Sequence, residues 1–216
     1  MKAIRLVSAA AIALCGFAAN ANAGSDYVFG FSDFTSTNAL TLDGSTVLNN
    51  VYSGWYESTG FHDVGNTNYI VGDYGPGYHD FFVFDISALT GPVTSLSLTL
   101  FSYSVTSPQT VHFYDVSIPL DTLINGAGGV AAYADLGSGV GYGAHGFSAS
   151  SVNETFSLNS QAVSALNAAI AGHQRQFAIG GAVGEAVVAV PEPETYALLA
   201  GGLGLVAWIA RRRKRA

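Results

Sequence analysis

One cysteine, Cys15, occurs in 216 residues, so the chain can form no internal disulfide. Basic side chains are almost as scarce. Of eight Lys and Arg residues, two stand at the start (Lys2, Arg5), five at the end (Arg211, Arg212, Arg213, Lys214, Arg215), and Arg175 alone lies between Gly24 and Val190. Thirteen of the fifteen acids fall in that central segment, which carries a net of twelve negative charges with its histidines neutral. Attraction to phosphate needs Lys and Arg, so nucleic acid and anionic membrane surfaces are not partners for it. Ion pairs have little to contribute either, and apolar burial with sheet hydrogen bonding must hold the segment together. Also missing are a Gly-x-Ser-x-Gly elbow, a thiol nucleophile outside the N-terminal stretch, and any His/Cys spacing that suggests zinc.

The first 23 residues have a basic start, an apolar stretch from Leu6 to Ala19 and a small-residue site at Ala21-Asn22-Ala23. This is the pattern of a cleaved secretory signal peptide. The apolar stretch is shorter than the ~20 residues of a membrane span. Leu14 before Cys15 does not suit a lipoprotein signal, so the thiol leaves with the peptide.

Residues 24–190 are long enough for one domain with its own core. Short apolar or alternating runs recur at 26–31, 45–58, 68–72, 78–86, 93–105 and 110–116, separated by turns such as Gly75-Pro76-Gly77 and Thr90-Gly91-Pro92. In the fifth run Leu96, Leu98 and Leu100 alternate with Ser and Thr, which puts the leucines on one face of a half-buried strand. The pattern predicts a mainly β exported domain, an antiparallel sandwich or jelly roll. One helix is expected at about Gln161 to Ala171, capped by Asn159 or Ser160 and stopped at Gly172, because Val163, Leu166 and Ile170 have helical spacing. A strand over Gln176–Ile179 should follow it. The Gly/Ala/Ser-rich stretch 126–151 reads as a long surface connection with room for one strand.

Chemistry is harder to place. His62-Asp63 and His79-Asp80 are adjacent pairs, but neighbouring strand residues point to opposite faces, so spacing alone makes neither an acid–base couple. The expectation for His79 and Asp80 is a strand-end position with satisfied hydrogen bonds. His112, His145 and His173 are isolated. Trp55, Tyr52, Tyr56, Tyr74 and Tyr78 would stack on sugar rings where exposed, and Asp73, Asp80 and Asp85 are the candidate carboxylates for glycoside hydrolysis. The same acids around the Gly75-Pro76-Gly77 turn form the best local cluster for calcium, although no Asp-x-Asp-x-Asp-Gly loop is present. No catalytic residue, no metal ligand and no required cofactor are assigned, and the expected role is non-enzymatic.

The C-terminus carries the strongest signal. Pro191-Glu192-Pro193 is followed by fifteen mostly apolar residues, Tyr196 to Ala210, and then by the basic cluster Arg211–Arg215. As a helix the apolar run would be about 22 Å long, short against a hydrocarbon core of ~30 Å. The basic cluster would keep the C-terminus in the cytoplasm and place residues 24–190 on the other side. This three-part pattern closely resembles the PEP-CTERM sorting signal of Gram-negative bacteria. The resemblance implies recognition and cutting by an exosortase, a membrane enzyme, in organisms that make extracellular polysaccharide. It covers residues 191–216, with a transmembrane helix over 196–210 inserted transiently in the inner membrane before transfer to the surface or outside. The stretches at 78–100 and 156–181 are similar to segments of the β-rich ectodomains of such proteins, which implies a β-sandwich fold and no reaction. Together these readings predict a structural or adhesive component of a polysaccharide or biofilm matrix. A carbohydrate-binding module, with or without calcium, is the alternative, and a glycoside hydrolase a more distant one.

Overall fold

The computed structural model describes residues 26–32 and 38–184. In chain order the strands are β1 (Asp26–Gly30), β2 (Ala39–Leu42), β3 (Thr46–Glu57), β4 (Tyr69–Asp73), β5 (Gly77–Asp85), β6 (Leu96–Phe101), β7 (Ser104–Val105), β8 (Gln109–Asp115), β9 (Gly141–Phe147), β10 (Asn153–Ser157) and β11 (Gln176–Val183). Helices α1 (Leu120–Ile124) and α2 (Gly129–Leu136) fall between β8 and β9, and α3 (Ser160–Ala171) between β10 and β11. The predicted signal peptide and the predicted helix over 196–210 lie outside the described residues. No helix among the described residues is long and apolar enough to cross a membrane.

All pairings are antiparallel, and the strands run β10-β6-β2-β3-β5-β11-β8-β9 with β4, β1 and β7 attached at the start of β5. Strand β3 turns this ribbon into two layers. Its first residues pair with β2, and after a register shift between Asn50 and Tyr52 the rest pairs with β5. A bulge bends a strand and increases its twist, and here it marks where β3 passes from one layer to the other. The β2–β3 turn is set by Asp43 and Gly44, both with positive φ. Asp43 Oδ1 accepts hydrogen bonds from Thr94 Oγ1 and from the Thr94 and Ser95 backbone N–H groups, which ties the turn to the start of β6.

Burial follows the alternation read from the sequence. Leu96, Leu98 and Leu100 point inward from β6 and meet Phe82, Phe84, Phe113 and Ile179 from the facing layer. Helix α3 closes one end of this core with Ala162, Leu166 and Ala169. It begins where expected: the Asn159 side chain accepts from the N–H groups of Gln161 and Ala162, and Gly172 is the C-cap. The strand after it is longer than predicted, running to Val183.

Two helices correct the sequence reading. The stretch 126–151 holds the one strand it had room for, β9, but also the helix α2, which was not expected. Together with α1, α2 covers the outer face of β3, β5 and β11 and makes a second core of Tyr56, Phe81, Val83, Leu123, Ala132, Leu136 and Ala178. Glycine lets α2 lie so close. A Cβ on Gly180 would stand 2.9 Å from both the Cα and the carbonyl oxygen of Leu136. Gly180→Ala is therefore expected to cost about 1–3 kcal/mol, the range for overpacking a core. Gly91→Ala, at an open turn position, should stay within about 0.5 kcal/mol of wild type. Equal unfolding midpoints of the two variants in urea would refute the close packing of α2.

Candidate functional site: a cleft at a forked strand edge

Strand β5 has two edges, and one is claimed throughout by β3, from Phe84 opposite Asn50 to Tyr78 opposite Glu57. The other edge is shared. Strand β11 holds it from Asp85 to Asp80, and β4 takes over at Tyr78 and Gly77. Beyond Gly181, β11 stays with β8 instead, Val183 opposite Val111, while β4 goes to β1. The fork between them opens a cleft of ≈ 690 Å³.

Its walls combine donors, acceptors and ring faces. Strands β1 and β4 contribute Asp26 and Asp73, which stand directly opposite each other in register. Gly72 makes that approach possible: it has φ +113, and a Cβ there would lie 2.3 Å from the Asp26 carbonyl oxygen. Asp26 Oδ1 accepts from Ser107 Oγ at 2.8 Å. From β8 come Gln109, Thr110 and His112, from β5 Tyr78 and His79, and from α2 Tyr133. The Tyr133 hydroxyl sits over Gly77, and the His112 ring lies over Gly184.

His79 is held rigidly. Its ring stacks on Tyr133 at 3.9 Å and 5°, and its Nδ1 is 2.6 Å from the Tyr133 carbonyl oxygen. A carbonyl only accepts, so Nδ1 carries the proton and Nε2 is the lone-pair nitrogen of the neutral ring. Burial lowers the His79 pKa, outweighing the backbone hydrogen bond that raises it, and the imidazole is neutral at pH 7.

Asp80, the next residue, corrects the expectation most sharply. It is no strand-end carboxylate. The side chain is fully buried, and neither oxygen has a hydrogen-bond partner among the described residues. It lies over Gly181, where a Cβ would come within 2.2 Å of Oδ1, on the same face as Phe82. The calcium cluster also dissolves. Asp73 is on the cleft, Asp80 is in the core, and Asp85 is at the far end of β5 beside Ser87. An extended strand puts Asp80 and Asp85 on opposite faces and about 16 Å apart. Among the described residues no three His, Cys, Asp or Glu side chains are placed to hold a metal.

The sugar-stacking candidates scatter. Tyr56 is fully buried, its hydroxyl donating to the Leu123 carbonyl. Trp55 is buried, and Tyr78 is half-buried with its hydroxyl donating to Glu57. Tyr52 and Tyr74 are exposed. His62 stacks on Tyr56, and burial lowers its pKa. His145 stacks on Phe156, with Nε2 3.4 Å from the Glu154 carboxylate, and His173 is exposed after α3. At the cleft Gln109, Thr110 and His112 of β8 meet Tyr133 of α2. Their only sequence signal was the adjacency of polar and aromatic residues in β8. A second cleft of ≈ 680 Å³ lies between α3 and the start of β11, floored by the stacked rings of Tyr142 and Phe177.

Residues 189–214 match the PEP-CTERM protein-sorting motif. No curated protein and no solved structure matches the chain. The motif makes the chain an exosortase substrate, exported to the cell surface by way of the membrane.

Burial raises the Asp80 pKa well above the usual carboxyl value, so the folded protein holds this proton more tightly than the unfolded chain does. Its favourable contribution is complete below the unfolded carboxyl pKa of about 3.9 and is lost as pH rises through the folded value. Asp80→Asn should therefore gain in thermal midpoint relative to wild type as pH increases from acid to neutral. A difference between the two proteins that stays constant with pH would show that Asp80 is not a buried, protonated carboxyl.

Proposed function

We propose that the domain is a non-enzymatic, adhesive component of an extracellular polysaccharide matrix, attached to the polymer through the forked-edge cleft. The observation that carries this reading is the cleft itself, where amide, hydroxyl and imidazole groups converge beside the rings of Tyr78, His79 and Tyr133. Such a lining suits a polyhydroxy ligand, which needs many directional hydrogen bonds and a ring face to stack on. Two carboxylates at one wall of an acidic domain repel polyanions, so the ligand is a neutral or amino-sugar polymer rather than a uronate. Asp26 and Asp73 also sit side by side on neighbouring strands.

Delivery follows the sorting signal. In this reading residues 196–210 insert transiently in the inner membrane with Arg211–Arg215 in the cytoplasm, and the exosortase cuts near Pro191-Glu192-Pro193. Deleting Pro191–Pro193 in a host with an exosortase should leave an uncut precursor on immunoblots, and unchanged processing would sink the sorting step. Purified 24–190 should bind matrix polysaccharide of the producing cell saturably and equally with calcium or chelator. Thr110→Trp, which fills the cleft, should weaken that binding at least tenfold, about 1.4 kcal/mol. Undiminished binding by this variant, or binding confined to uronate polymers, would move the ligand elsewhere.

A further inference from the structure

The outer face of the β4–β1–β7 ribbon carries rings that neither core uses. Val28 and Gly30 of β1 turn inward, so Tyr27, Phe29 and Phe31 turn outward. Ile70 of β4 stands opposite Phe29, and Tyr74 and Tyr103 join the row from just after β4 and just before β7. None of the six belongs to either buried core. Tyr103 is 66% and Tyr74 54% exposed, and the other four are half-buried. Single exposed rings are ordinary, but a contiguous apolar patch marks a binding surface. The rings are also fixed before any partner arrives. Tyr27 meets Tyr74 edge to face at 5.1 Å, Phe29 meets Phe31 at 5.1 Å, and Tyr103 meets Phe31 at 4.8 Å. A ligand therefore gains these contacts at small entropic cost.

The chemistry of the face selects its occupant. None of the six residues is charged, in a domain with a net of twelve negative charges, so a charged polymer has nothing here to attract it. A second copy of the domain brings the same negative charge and is repelled. The hydroxyls of Tyr27, Tyr74 and Tyr103 have no hydrogen-bond partner among the described residues. A hydrocarbon surface would bury them unsatisfied, whereas a sugar chain offers hydroxyls to them and its C–H faces to the rings. From Tyr27 to Phe31 the row runs about 13 Å along the strand, longer than one sugar ring.

We propose that this face is a second carbohydrate-binding surface, on which an uncharged polysaccharide chain lies across the rings. It is separate from the cleft. Asp26 and Asp73 line the cleft while their neighbours Tyr27 and Tyr74 do not, so the paired strands β1 and β4 present the two surfaces on opposite sides. The inference goes beyond the cleft reading and does not depend on it. Where both sites bind, one domain holds two polymer strands, or one strand twice, and attachment strengthens without a tighter contact at either site.

The test uses the exported protein, recovered from the surface of a host that has an exosortase. The probes are cellulose, laminarin, galactomannan and chitin as uncharged polymers, with a polyuronate for comparison. Wild type should bind at least one uncharged polymer, and free monosaccharides should not displace it. Tyr103→Ala and Tyr74→Ala, both at exposed positions, should each weaken that binding about fivefold or more, the effect of losing one stacked ring, with an unchanged thermal midpoint. Tyr52→Ala, at an exposed tyrosine of β3 away from this face, should bind like wild type. Tyr103→Trp keeps a ring, so it should retain binding within about twofold, and its emission should shift to the blue with polymer more than that of wild type does. Binding to no uncharged polymer, binding only to the polyuronate, or equal binding by the alanine variants at 74 and 103 would overturn the proposal. So would self-association, or attachment to phosphatidylcholine vesicles, that Tyr103→Ala abolishes. Loss of binding in Thr110→Trp with both tyrosine variants unaffected would leave the cleft reading standing and refute this one. The reverse pattern would refute the cleft and keep the face.

Discussion

Strand β5 is the constraint around which the rest is built. Phe81, Phe82, Val83 and Phe84 are four consecutive residues of an extended strand, and all are essentially removed from water. Side chains alternate across a sheet, so this is possible only where both faces are covered. The inner face meets the leucines of β6 across the sandwich, and the outer face meets α1 and α2. Each aromatic side chain buried there contributes on the order of 2–3 kcal/mol of apolar transfer free energy. A simple two-layer sandwich would leave Phe81 and Val83 in water. The helical layer is therefore required by the strand, and Gly180 provides the flat surface on which it can lie.

The same strand explains the cleft. An edge can pair with one neighbour at a time, and β5 gives up β11 for β4 near Asp80. Strands β4 and β11 then follow β1 and β8, and the space between them cannot be closed by backbone hydrogen bonds. Asp80 sits at this transition, where β5 ceases to pair with β11 and where Gly181 leaves room for a carboxyl. A larger residue opposite it would push β11 away, while an apolar residue at 80 would suit the core better. The structure offers no hydrogen-bonding reason for the carboxyl among the described residues, and burial is what favours its protonated form.

What the sequence disclosed depended on periodicity. The leucines of β6 and the cap and stop of α3 are local patterns with known geometry, and they appear where expected. Helix α2 was hidden because Gly126, Gly128, Gly129, Gly137 and Gly139 surround it, and glycine is a poor helix former. Only Ala132 and Leu136, at helical spacing, point to it, and tertiary packing on Gly180 stabilises what propensity does not. The run Phe81–Phe84 carried a second unused signal, since a continuous apolar strand needs cover on both faces. The Leu42-Asp43-Gly44-Ser45 turn was likewise available from the dipeptide Asp-Gly. The cleft was not legible, because its residues meet through a pairing switch that no local pattern encodes.

Charge connects the domain to its tail. Five of the six Lys and Arg residues that follow the predicted signal peptide stand at the extreme C-terminus, and thirteen of the fifteen acids lie between Gly24 and Val190. On the proposed topology the two lie on opposite sides of the membrane, so the basic cluster cannot neutralise the domain. An anionic bilayer surface repels the domain at distances within a Debye length, about 8 Å at physiological ionic strength. Only the covalent tether opposes that repulsion. Once the tether is cut, no electrostatic attraction holds the domain at the bilayer, and its scarcity of lysine and arginine becomes a means of release.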